Sequence, residues 1–201
     1  MTRRFSIRPT LTFRGRQFKG LRGYSGKPFH PPLTDFPVAA YVLAAVFDTI
    51  SYVAGPNDSV GRDFFISGTH VIIAGVIVAV PTALTGFWDW LRSTEPGTQA
   101  RRTANWHMTV MLTVTAIVLA DVVIRLVQWD HPSVSGIVLA LSLLAGSLVA
   151  FGAAYGGTLV FDYGFNVETA GDSPVWHRSE QDVLPDGSQS PPAVSASSSR
   201  R

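Results

Sequence analysis

Seven ionisable residues stand inside or against runs that are otherwise apolar: His30, Asp48, His70, Asp89, His107, Asp121 and Arg125. A buried charge in hydrocarbon costs roughly 2.5–3.5 kcal/mol on insertion scales, so each needs a partner or a task. Neutral imidazole can ligate haem iron or a metal, and can relay a proton. His30 and His107, with the carboxylates Asp35 and Asp89, are therefore the first candidates for a site. A zinc or di-iron centre would need three or four such ligands to converge.

The second candidate is a charge layer. Asp121 and Arg125 are spaced i,i+4 with the acid first, the order that favours an ion pair. They continue a stripe through His107, Met111, Val114 and Val118, in steps of four and three. Such a stripe shares one helix face and is expected to face the interior of a bundle. The pair either neutralises itself for insertion or serves as a functional charge site, and both readings stay open. His70 could join Asp48 or Asp121, or be a hydrogen-bonded packing residue. In "HPPLTDFP" (30–37), Asp35 stands where an N-cap belongs, with Pro37 in the first turn. Pro81 is expected to kink its helix, with Thr82 and Thr85 placed to satisfy freed carbonyls.

Other chemistry is absent from the sequence. The chain has no cysteine, which removes disulfides, thiolate metal sites and cysteine nucleophiles. It shows no phosphate loop, dinucleotide fingerprint, serine triad or HExxH pattern. No catalytic motif marks it as an enzyme.

The elements that must position these residues are long and apolar. The 201 residues are 46% hydrophobic and 15% charged, against about 25% charged in an ordinary soluble domain. Charges gather near the ends. Apolar segments run over about 36–55, 65–91, 106–128 and 134–161, and each reaches the ~20 residues that cross a bilayer as a helix. Backbone groups in lipid must bond within their own segment, which dictates helix. The connections are short, so consecutive helices are antiparallel neighbours. The expected fold is an all-α integral membrane four-helix bundle over 30–167. Disordered tails are expected at 1–29 and 168–201. The first span is read as uncleaved rather than as a signal peptide, because its apolar run starts only at residue 36 and lacks a small-residue cleavage site.

Basic residues set the orientation. Eight lie in the N-terminal arm, three in the second loop (Arg92, Arg101, Arg102) and three in the tail, against Arg62 and Arg125 on the other side. Both termini are therefore expected to be cytoplasmic. That places His30, Asp35, Asp89, His107, Asp162 and Tyr163 towards the cytoplasmic face, and Asp48, His70, Asp121 and Arg125 in an outer polar layer. The basic arm suits anionic lipids, and no nucleic-acid partner is expected. Segment four repeats small residues at Ser142, Gly146 and Ala150 and at Gly152 and Gly156. Such faces serve close packing, within the chain or in a homo-oligomer.

Four motifs together carry a resemblance: "HPPLTDFP", "ALTGFWDWL", "RRTANWHM" and "GGTLVFDYG". In this order the chain resembles the bacterial four-span membrane family called domain of unknown function (DUF) 2231, over about residues 30–167. His30, Pro31, Leu33, Phe36 and Pro37 match the family's opening motif, and His107 its third-span histidine. Gly156, Gly157, Leu159, Val160 and Gly164 match its closing motif. Asp35 and Tyr163 stand where the family often has further histidines. Some relatives are joined to Rieske iron–sulfur domains, so the resemblance implies a bacterial inner membrane and a redox-protein partner.

Three functions follow as expectations. The first is a redox-associated accessory protein binding haem b, a quinone or a metal near the cytoplasmic face, through His30, His107, Asp89 and Tyr163. The second is a non-catalytic scaffold or assembly subunit. The third is a small proton or ion pathway between the two polar layers, opposed by the apolar gap at Met111, Val114 and Val118.

Overall fold

The computed structural model describes Leu21, residues 28–165 and Val167. Four helices follow one another: α1 (His30–Ala54), α2 (Ser59–Ser93), α3 (Gln99–Val127) and α4 (Gly136–Phe161). All four belong to one compact unit. The tails expected to be disordered lie outside the described residues, apart from Leu21, Pro28 and Phe29.

Each helix is long and apolar enough to cross a membrane. Their outer surfaces carry large apolar side chains such as Ile77, Leu84 and Val123. A water-soluble bundle would cover that stripe, whereas lipid accepts it. α2 and α3 begin one to two turns before their apolar runs. Asp58 accepts the amide of Val60 and Thr98 that of Arg101, so capping chemistry rather than hydropathy fixes those starts.

At α1 the structure corrects the capping expectation. The helix begins at His30 after Phe29, which supplies no side-chain cap. Asp35 lies five residues inside, on an exposed face. Pro31 and Pro32 explain the difference, because the first turn of a helix needs no N–H donors. At Pro81, α2 runs on without a break. The Thr82 and Thr85 hydroxyls donate to Val78 O and Pro81 O, each at 2.8 Å, and not to Ile77 O, the carbonyl that proline frees.

α1 packs on α2 and α4, α3 packs on α4, and α2 meets α3 more lightly. α1 and α3 are thus diagonal. The small face of α4 is used within the chain, with Gly146 against Ala45 and Gly152 against Met111. An apolar core of Tyr41, Ala44, Ile72, Val114, Val118, Ala145 and Val149 fills the middle. A smaller cluster of Phe65, Val134 and Val138 closes the end where α2 starts.

Candidate functional site

The antiparallel helices sort the ionisable groups into two layers on either side of the apolar core. At the end where α1 begins and α4 finishes lie His30, Asp89 and His107. Towards the other end lie Asp48, Asp121 and Arg125.

The two histidines are seated in the same way. Nδ1–H of His30 donates to Thr82 O on α2 at 2.9 Å, and the ring lies over Gly86. A Cβ at Gly86 would come within 2.5 Å of His30 Cε1. Nδ1–H of His107 donates to Gly152 O on α4, also at 2.9 Å, and its ring lies over Gly156, 3.3 Å from where a Cβ would be. Each imidazole therefore bonds a carbonyl of the next helix and rests on the glycine four residues further on. A carbonyl only accepts, so Nδ1 carries the hydrogen in both rings. In the neutral ring Nε2 then bears the lone pair. The two rings sit within electrostatic reach of each other, without a direct hydrogen bond between them.

Asp89 is buried at 3% exposure, but its partner is the chain before α1. Its Oδ1 accepts Leu21 N–H at 3.1 Å, and Leu21 O accepts Phe29 N–H at 3.0 Å. This carboxylate holds Leu21, ahead of the first helix. Tyr163 follows the end of α4, is 41% exposed and bonds Thr158 O through its backbone. No hydrogen bond joins its side chain to His30 or His107. Among the described residues no three His, Asp or Glu side chains converge as a metal cluster.

The opposite layer is tighter. Arg125 Nη1 donates to Asp48 Oδ1 at 3.0 Å, and Nη2 donates to Asp48 Oδ2. Nη2 also reaches Asp121 Oδ2 at 3.1 Å, and Nη1 reaches Thr69 Oγ1 at 3.4 Å. All four residues are fully buried. The stripe along α3 faces inward as its spacing implies, with Val114, Val118, Asp121 and Arg125 all buried. His70 does not join the layer. It lies on an exposed face, bonds Ile66 O at 2.8 Å and meets Trp129 edge to face.

Two further polar residues, Thr69 and Tyr41, are not marked by the ionisable pattern of the sequence. Tyr41 is buried in the apolar core with its hydroxyl unpartnered. It stands seven residues before Asp48, which puts both on one face of α1, and that spacing is the signal that could have found it. A groove of about 210 Å³ between α1 and α4, lined among others by Val42, Ala45, Leu143 and Gly146, opens to the flank. None of the histidines or acids lines it.

Comparison with curated proteins and with solved structures found no match. The family comparison did. The model described as predicted membrane protein (DUF2231) matches residues 26–169, a range that contains all four helices and both polar layers. The chain belongs to this family of membrane proteins.

Proposed function

We propose that the protein is a redox-associated membrane accessory protein that binds one group through His30 and His107, with both termini on the cytoplasmic side. The observation that carries this reading is the shared seat of the two rings. Each Nδ1–H is spent on a carbonyl, which orients the imidazole and raises the basicity of Nε2, as at many metal-ligating histidines. His30 and His107 would hold the group through their Nε2 lone pairs, which could ligate a haem iron or accept from the hydroxyls of a quinol. Zinc fits less well, because it asks for three or four protein ligands. When bound, haem would supply one-electron chemistry. The chain's own contribution is to hold two oriented, neutral imidazoles within the bundle. Basic residues of the N-terminal arm would add attraction to anionic lipid headgroups.

The test is a reduced-minus-oxidised visible spectrum of the detergent-purified full chain, with elemental and quinone analysis of the same sample. Soret and α bands, or co-purifying quinone, that vanish in both His30→Ala and His107→Ala are expected. A colourless protein free of metal and quinone would remove the reading. A scaffold role would then stand, favoured by Asp89 being spent on Leu21 and Arg125 on two carboxylates. A pathway between the layers has less support, because Ile72, Val114, Val118 and Val149 fill the space between them.

A further inference from the structure

We infer that the Asp48–Arg125–Asp121 cluster is a binding site for a single proton inside the membrane-spanning bundle. Two carboxylates and one guanidinium share a fully buried site. Arginine does not deprotonate in proteins, so the cluster carries a net negative charge when both acids are ionised. Among the described residues no other positive charge faces it. α1 contributes only Asp48, and α2 contributes Thr69, whose neighbour His70 is turned outward. α3 contributes Asp121 and Arg125, and α4 has no charged side chain along its length. An uncompensated charge has no water to solvate it there. One proton makes the cluster neutral.

The two carboxylates are unevenly hydrogen-bonded. Asp48 accepts from both terminal nitrogens of Arg125, a fork that holds a carboxylate in its ionised form. Asp121 accepts one bond, at Oδ2. Its Oδ1 lies 3.1 Å from Arg125 Nε, yet neither atom has a hydrogen-bond partner. Asp121 is the less well held carboxylate, so the proton rests on it. A lone Asp–Arg pair would suffice to neutralise Arg125. The second acid turns a closed ion pair into a site that can take up and release one proton.

The test is infrared spectroscopy of the full-length protein in liposomes at neutral pH, reading the C=O stretch of a protonated carboxylic acid and its shift in heavy water. Wild type minus Asp121→Asn and wild type minus Asp48→Asn should each show this band, because either single substitution leaves a neutral acid–arginine pair with no proton. Subtraction also cancels any signal from Asp89. Arg125→Gln, where it inserts, should show about twice the wild-type band. Absence of the band from either difference spectrum overturns the proposal, and so does a wild-type band that appears only when sodium and potassium are withdrawn. The two Asn variants keep shape and neutrality, so the test does not depend on Arg125→Gln folding.

Discussion

Arg125 on α3 crosses the bundle diagonal to Asp48 on α1, 77 residues away in sequence, and both side chains are fully buried. The helices that carry them are not packed neighbours. A long side chain with a planar, multi-donor head is what allows the reach. Removing the guanidinium while leaving the acids should be costly, since breaking a buried pair typically loses about 3–5 kcal/mol. Arg125→Met should therefore unfold at clearly lower denaturant in a mixed-micelle titration. A triple variant, Asp48→Leu, Asp121→Leu and Arg125→Met, should recover most of that loss. If the triple variant is no better than Arg125→Met, the loss does not come from stranded carboxylates.

Gly86 makes room for the His30 ring. An added Cβ would sit 2.5 Å from Cε1, closer than real contacts allow, so Gly86→Ala must push the ring off its seat. Overpacking of this kind costs about 1–3 kcal/mol. In a His30→Ala background the clash disappears. There Gly86→Ala should be neutral or should stabilise by up to about 1 kcal/mol, through helix propensity alone. Chemical denaturation of the four proteins gives the coupling directly. A Gly86→Ala cost that is equal in both backgrounds would place the strain elsewhere.

Much of this arrangement is legible in the sequence, and the reasons differ by residue. The stripe from His107 to Arg125 is periodic, so its inward direction follows from helix geometry alone. The Asp121–Arg125 pair is local and reads directly. Asp48 joining that pair is a contact across the diagonal, which no spacing within one helix encodes. The outward turn of His70 is hidden for a related reason, since depth in the membrane fixes a layer but not a side of the helix. The start of α1 at His30 is obscured because prolines look like breakers until their first-turn role is considered. Asp89 resembles part of a ligand set, but its partner is a backbone amide, and backbone donors leave no mark in residue types.

Asp89 holds Leu21, ahead of α1, through one hydrogen bond from the Leu21 amide at 3.1 Å. Asp89→Leu removes the acceptor, whereas Asp89→Asn keeps a carbonyl oxygen of the same shape. Hydrogen–deuterium exchange should therefore speed up in the peptide containing Leu21 for the Leu variant, and far less for the Asn variant. The Phe29 amide, which donates to Leu21 O at 3.0 Å, should exchange faster in step with it. Unchanged exchange in Asp89→Leu would show that something other than this carboxylate holds the segment.

The tautomer of His30 and His107 is the most direct consequence of their shared seat. Each Nδ1 faces a carbonyl oxygen at 2.9 Å, and two acceptors without a hydrogen between them would repel. The Nδ1–H form is therefore imposed on both rings, and Nε2 is left bare when the ring is neutral. Solid-state NMR of histidine-labelled protein in lipid, at a pH where imidazole is neutral, should show protonated Nδ1 and bare Nε2 for His30 and His107, and also for His70, whose Nδ1 bonds Ile66 O at 2.8 Å. His30→Ala and His107→Ala assign one each. A bound metal or haem would shift the Nε2 signals of these two rings and leave Nδ1 protonated. A ring found with its hydrogen on Nε2 would mean that its nitrogen is not bonded to the carbonyl, and that histidine would lose its claim to present a lone pair.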